Sequence, residues 1–339
     1  MKYFVTGHTG FKGAWLSVML SELGHELHGY SLDPEQDSLY EAAEISKLYK
    51  SDFRGDVRNY GDLESALSRV NPDVVIHLAA QALVREGYRK PKETFETNFN
   101  GTLNLLSSLD RLSNLKAALI VTTDKVYADS DKLSGCQETD PLGGLDPYSA
   151  SKAAADILSQ AWGFSNSNLP IAIARAGNVI GGGDRSVDRL LPDLISAFSS
   201  ELTAQVRNPK SVRPWQHVMD CLSGYLLLID SITRDNSRGA WNFGPQAMDH
   251  LRVEELVNLA AMFWGPNASW SPQPANNGLS ESPTLRLDVN KAREKLAFST
   301  RFSATEAVES TVKWELAVIN GADAMEVTRR QVIDYFHGN

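Results

Sequence analysis

The sequence predicts an α/β fold: a doubly wound parallel sheet with a smaller mixed α/β lobe at its C-terminal end. Three observations carry that expectation. Short apolar runs alternate with amphipathic stretches through the first half of the chain, the signature of βαβ units. A glycine-spaced turn follows the first run, between a strand and a helix. From Gly177 onward the alternation gives way to glycine-rich loops and helix-like stretches set apart by segments rich in Pro, Asn and Ser, such as 265–283.

Taken in order, KYFVT (2–6) reads as a strand and 11–23 as a helix. ELHGYS (26–31) is the second strand, a third precedes RGDVRN (54–59), and 60–70 is amphipathic. DVVIHLA (73–79), a helix over 94–112, AALIVTT (117–123), a helix over 148–164 and IAIARA (171–176) complete the pattern. Helices then cover both faces of the sheet, so ligands must bind outside the carboxyl ends of the strands, where the strand order reverses. Residues 1–176 are expected to form the dinucleotide-binding domain. Residues 177–339 are expected to form mainly a second lobe on helices 190–200, 217–232, 252–264 and 304–318, with some segments returning to the sheet.

A chain of 339 residues, 42% hydrophobic, can bury a substantial core. Its formal net charge of −9 argues against a nucleic-acid partner, which requires a basic face. Cys136 and Cys221 stand far apart, and the seven histidines show no ligand spacing, so neither a disulfide framework nor a metal site is expected. The opening MKYFVTG leads straight into a strand and no run is long enough to span a bilayer, so a cytoplasmic protein without a membrane partner is expected.

The turn Gly7-His8-Thr9-Gly10-Phe11-Lys12-Gly13 lets backbone amides and a helix N-terminus approach a pyrophosphate. Asp33 follows Gly13 by twenty residues at the end of the second strand, the place for a carboxylate that takes ribose hydroxyls. No arginine follows it closely in sequence, which favours NAD over NADP. Asp56 is a candidate acceptor for the adenine amino group, or a solvated loop carboxylate. Together these make the sheet Rossmann-type.

Tyr148 and Lys152 share one helix face, where the ammonium is expected to lower the phenol's pKa toward that of a working base. Asp124 and Lys125 stand side by side where the apolar run 117–121 ends, an arrangement that needs something for both charges to face. Arg175, Asn178, the glycines 181–183, Arg189, Arg207 and Arg213 gather arginines around a glycine-rich loop in an acidic protein, which suggests a separate polyanion site suited to a diphosphate.

With HLAAQ (77–81), the TTD turn (122–124) and DVNKAREKL (288–296), these motifs resemble the extended short-chain dehydrogenase/reductase family of nucleotide-sugar enzymes. GHTGFKGAWL, HLAAQALVR, TTDKVY, GGLDPYSASK, ARAGNVIGGGD, RNPKSVRPWQHV and WNFGP extend the resemblance over nearly the whole chain, to the family's 4,6-dehydratases. The resemblance implies NAD as cofactor, held by Gly7, Thr9, Gly10, Phe11, Gly13, Asp33, Asp56, Val57, Leu78, Ala79, Ala80 and Asn98 together with Tyr148 and Lys152. It implies a CDP-hexose or another nucleotide sugar as substrate, held by Gln81, Asn178, Arg189, Leu191, Arg207, Arg213 and His217.

The catalytic set it implies is Thr123, Asp124, Lys125, Tyr148 and Lys152. Tyr148 takes the 4-hydroxyl proton and Asp124 acts as acid toward the departing 6-hydroxyl, with Lys125 near C5 as base or as electrostatic stabiliser. The family also implies a homodimer through the helices at 94–112 and 148–164. The sequence departs from the family pattern at Val126, across ADSDKLSGCQE (128–138) and at Arg185, where tryptophan is usual. The rival readings are an epimerase or reductase of the same fold, which needs no acid at C6, and a silent NAD-binding regulator, which has no need of Tyr148 or Lys152.

Overall fold

In a computed structural model, residues 1–129, 132–166, 168–235, 237–246, 249–273 and 285–338 are described; positions 274–283 of the 265–283 stretch, and 130 and 131 of the divergent segment, lie outside them. The central sheet has seven parallel strands: β1 (Lys2–Thr6), β2 (Glu26–Ser31), β3 (Tyr49–Arg54), β4 (Val74–His77), β5 (Ala117–Val121), β6 (Ile171–Ala176) and β7 (Gly239–Phe243). Their order across the sheet is β3-β2-β1-β4-β5-β6-β7. The order reverses between β1 and β4, so a crevice opens at their carboxyl ends. Strand β7 comes from the second half of the chain and pairs with β6, Gly239 opposite Ala172 through Phe243 opposite Ala176.

Helix α1 (Phe11–Glu22) buries every residue from Gly13 to Leu20, as a helix apolar on all sides must. On the opposite face of the sheet run α2 (Tyr60–Val70), α3 (Gly101–Leu109) and α4 (Pro147–Ser165); then come α5 (Leu190–Ser199), α6 (Val218–Asp235), α7 (Val253–Trp264), α8 (Ala304–Ile319) and α9 (Ala324–His337). The structure adds α9, which packs on α1. Its buried stripe is Ala324, Thr328, Val332 and Tyr335, too mixed in polarity to stand out as an apolar period. The helix expected over 94–112 is in fact three pieces: 91–95, a π turn at Glu96–Asn100, and α3.

A second core lies beyond the sheet, where Leu194, Phe198, Leu256, Val257, Val308 and Val312 meet between α5, α7 and α8. Each such side chain contributes roughly 1.5–3 kcal/mol on burial. Helix α8 belongs to both cores, since its Trp314 packs in the main one. The glycine loop 181–183 threads between two tryptophans: Trp15 donates to the Gly182 carbonyl at 2.9 Å, and a Cβ at Gly182 would lie 2.2 Å from the Trp314 ring.

Candidate active site

The carboxyl ends of the strands border a cavity of about 1150 Å³. A pocket for one small ligand typically measures about 300–1,000 Å³, so this one has room for two ligands side by side. At its floor, Gly7 takes φ 74°, and a Cβ there would meet the Ala79 nitrogen at 2.6 Å. A Cβ at Gly13 would meet the Gly7 oxygen at 2.5 Å, so both glycines are demanded by packing. Gly10 differs: it caps α1, and a Cβ there would meet only the Gly7 oxygen at 3.5 Å. Its open side lies on the cavity beside the first amides of α1, a cradle suited to a pyrophosphate.

Thr9, Phe11, Val57, Leu78, Ala79 and Ala80 line the same cavity. The Thr9 hydroxyl bonds Ser31 at 2.7 Å and so ties the glycine turn to the end of β2. Asp33 also lines the cavity, with its side chain 90% exposed. The expectation that no cation stands near it needs correction, because the Arg54 Nε lies 3.6 Å from its carboxylate. Ser31 and Arg54 are register partners in β2 and β3, so the sheet brings together what the sequence separates. Asp52 holds the rest of that guanidinium at 2.7 and 2.9 Å. Asp56 lines the cavity while accepting from Arg58 Nε and from the Arg58 backbone amide, both at 2.9 Å.

Helix α4 starts at Pro147, with Asp146 capping it by accepting from the Ser149 amide at 3.0 Å. That start fixes Tyr148 and, a turn later, Lys152 against the end of β5. The Lys152 ammonium donates to the Val121 carbonyl at 2.6 Å. Burial, reinforced by Lys12, lowers the Lys152 pKa to about 8. The phenol does not behave as expected from the spacing. Burial pushes Tyr148 up, opposed by its hydrogen bond to Thr123 and by Arg189, because the lysine is itself desolvated and turned to the carbonyl.

Beyond β5, Thr123 caps a short turn over Asp124–Val126 and donates to Asp124 Oδ1 at 3.0 Å. Asp124 is 1% exposed and its Oδ2 has no partner among the described residues. Burial raises its pKa, against the pull of Lys125, Thr123, Arg213 and Lys12. A buried carboxyl with one oxygen free, in a cavity that also holds a tyrosine, is a candidate proton donor. Lys125 lines the cavity beside it.

Gln81, Asn178, Arg189, Leu191, Arg207 and Arg213 all line the cavity too. Gln81 spends its amide on Thr94 and on the Leu83 nitrogen. Arg213 is buried and donates to the Val212 carbonyl at 2.9 Å. Three expectations are corrected. His217 is fully buried off the cavity, its ring packed against Trp15 and Phe302, and its Nδ1 accepts from the Met219 amide. Asn98 is buried in the π turn, where its amide joins the Gln81 backbone to Ser151 at 2.8 to 3.0 Å, so it positions the wall and does not face the cavity. Arg175 belongs to no anion site: it is wholly buried in a bidentate pair with Asp156 at 2.8 Å.

Two features lie outside the sequence expectations: the place of Lys12 and the partner of Arg185. Lys12, inside the glycine turn, lines the cavity and reaches the Tyr225 hydroxyl at 3.3 Å; a cation at the start of an otherwise apolar helix was the available signal. Arg185 forks onto Glu315 of α8 at 2.8 and 2.9 Å, and that buried carboxylate also accepts from the Gly183 amide at 2.7 Å. The divergent segment is likewise part of the frame. Glu138 accepts from the Asn242 amide at 2.9 Å, and its carbonyl accepts from Arg175 at 3.1 Å.

Residues 3–244 match the NAD dependent epimerase/dehydratase family, and the chain belongs to that family. Among curated relatives, it is 39% identical to the CDP-glucose 4,6-dehydratase of Salmonella typhimurium, across 98% of this chain and 96% of that protein. Among solved structures, the UDP-glucose 4-epimerase of Stenotrophomonas maltophila with bound NAD and formylated UDP-arabinopyranose shares the fold, with a TM-score of 0.83 at 21% identity, covering 95% of this chain and all of that one. The dTDP-glucose 4,6-dehydratase of Bacillus anthracis in complex with NAD gives a TM-score of 0.79 at 20% identity, over 97% and 99%.

Proposed function

We propose that the protein is a nucleotide-sugar 4,6-dehydratase that binds NAD and converts CDP-glucose to CDP-4-keto-6-deoxyglucose. One observation carries the reading: Asp124, buried with one oxygen that has no partner among the described residues, shares a cavity with Tyr148, Thr123 and Lys152. An epimerase or reductase has no use for that acid. Bound NAD supplies a hydride acceptor and donor, which makes the net reaction a loss of water.

The Gly7 to Gly13 turn and the α1 amides hold the cofactor pyrophosphate, and Asp33 takes its ribose hydroxyls. Tyr148 removes the 4-hydroxyl proton, with Thr123 bonding close by. Lys152, its pKa near 8, takes part in its charged form at neutral pH and favours the phenolate once the ligands complete the site. A ketone at C4 acidifies the C5 hydrogen. Asp124 then gives its proton to the departing 6-hydroxyl as the C5–C6 double bond forms, Lys125 faces C5 as base or as a cation beside the enolate, and return of the C4 hydride to C6 with a proton to C5 completes the 6-deoxy product. Arg207, Arg213 and Arg189 hold the diphosphate.

The 39% identity to a CDP-glucose enzyme across almost the whole chain favours CDP over other nucleotides. No described helix is long and apolar enough to cross a membrane, and both cysteines are buried thiols, which supports action in a reducing cytoplasm. A homodimer is part of the proposal, through the exposed Phe95, Ile157 and Phe164. The deciding experiment uses CDP-glucose deuterated at C4. Deuterium at C6 of a 4-keto-6-deoxy product, without net NADH, is expected. Loss of the label to solvent would refute internal return, and failure of every activated hexose to reduce bound NAD would favour the silent regulator.

A further inference from the structure

Three guanidiniums converge on one carboxylate at the wall of the cavity. Arg85 lies 3.1 Å, Arg207 3.5 Å and Arg89 3.6 Å from the Asp188 side chain, and Arg207 also donates to the Asp188 carbonyl at 3.2 Å. Arg85, Asp188 and Arg207 all line the cavity. The arginines come from two remote segments, residues 84–89 and the loop at 207, so no local turn requires them to meet. The carboxylate reaches them from a backbone in the left-handed region, φ 61°, a conformation in which aspartate and asparagine are among the few tolerated side chains. Arg89 shares its charge with Glu86 at 3.0 Å, and Arg189 nearby is held by Asp184 at 3.4 Å. Asp188 is therefore the one acid common to Arg85, Arg89 and Arg207 among the described residues.

The geometry points to Asp188 as an internal counter-anion, which fills this arginine cluster in the free protein and is displaced when a diphosphate-bearing ligand enters. The inference rests on the diphosphate reading given above. Forked guanidiniums suit phosphate oxygens as well as a carboxylate, so ligand and Asp188 compete for the same donors. Two consequences follow from that exchange. Small anions that bring too little charge to replace Asp188 are kept out, and the affinity for the true ligand is set lower than the arginines alone would give. Asp188 acts through the arginines and touches no reacting atom, so it is an affinity-setting residue.

The test is calorimetric binding of inorganic pyrophosphate to the NAD-loaded protein, comparing wild type with D188N and D188S. Both substitutions remove the charge, and asparagine keeps the shape and the tolerance of positive φ. Coupling between competing ligands typically changes affinity at least about fivefold, so both variants should bind pyrophosphate tighter by that factor and lose it more steeply with added salt. In turnover, KM for CDP-glucose should fall with no rise in kcat. Unchanged or weaker pyrophosphate binding in D188N would overturn the proposal, because it would make Asp188 a brace that holds the arginines ready. Absence of CDP-glucose turnover in wild type would sink the dehydratase reading instead, and the pyrophosphate comparison would still decide the role of Asp188.

Discussion

A Cβ placed on Gly177 would stand 2.8 Å from the Oδ2 of Asp124, the carboxylate oxygen without a partner among the described residues. The glycine keeps clear the space through which that oxygen meets whatever enters the cavity. Gly177→Ala should therefore impair dehydration more than oxidation, since displacing a catalytic group by about 1 Å costs on the order of 10²-fold. The check is single-turnover absorbance, in which bound NADH should build up and decay slowly. A variant that dehydrates CDP-glucose at the wild-type rate would remove Asp124 from the acid's role.

Asp124→Asn keeps the side chain's size but has no acidic proton to give. We expect bound NADH to form and the dehydrated product to fall by about 10²–10⁴-fold, the usual contribution of positioned acid catalysis. Mass spectrometry of the sugar should find a 4-keto-hexose that retains its 6-oxygen. Tyr148→Phe should stop even the first absorbance change.

Asp33→Ala removes a charged acceptor from the proposed ribose site, where a charge-assisted bond is worth roughly 1.5–3 kcal/mol. NAD affinity should fall about tenfold to a hundredfold. NADP should gain relative to NAD, because Arg54, 3.6 Å away, would lose an opposing charge and could meet a 2′-phosphate. Titration calorimetry with both cofactors reads the ratio. An unchanged preference in D33A would place the discrimination elsewhere.

Lys152 is a stability cost in the cofactor-free protein. Its folded pKa, about 8, lies below its ordinary 10.5, so between those values the unfolded chain binds more protons and stability rises with pH. Below about 8 the full penalty is present, on the order of 3 kcal/mol. Lys152→Met should abolish turnover yet raise the melting temperature of the cofactor-free protein at pH 7. The advantage should shrink toward pH 10. Equal stabilisation at both pH values would mean that packing, and not the charge, is responsible.

Ile157 and Phe164 lie seven residues apart on one face of α4 and are 53% and 90% exposed. Replacing both with lysine should convert the proposed dimer to monomer in sedimentation velocity without unfolding it. A wild-type protein that sediments as a monomer would end the dimer proposal.

Much of the scaffold was readable because parallel strands buried on both faces leave unbroken apolar runs, and because the turn at Gly7 and the charged end of β5 break those runs at the functional edge. What escaped was pairing at a distance. Arg175 resembles a ligand in sequence because nothing local announces that Asp156 neutralises it from α4. His217 enters the ligand set only through the family resemblance, and only the tertiary fold shows Trp15 and Phe302 enclosing it. Asn98 needed the π turn to point inward. Arg54 was recoverable in principle, since neighbouring parallel strands bring their carboxyl ends side by side.

The place of β7 at the sheet's edge bears on how the chain is made. Until residues 239–243 leave the ribosome, β6 has no neighbour on its outer side, and its run IAIARA offers unpaired backbone groups between apolar side chains. The gap from Ala176 to Phe243 is 67 residues, roughly 3–13 s of synthesis at ordinary elongation rates. During that interval the nascent chain carries a sticky open margin, and a fragment ending at residue 176 carries it permanently. Expression of that fragment alone should yield insoluble protein, and appending the β7 segment in trans or by a short linker should rescue solubility.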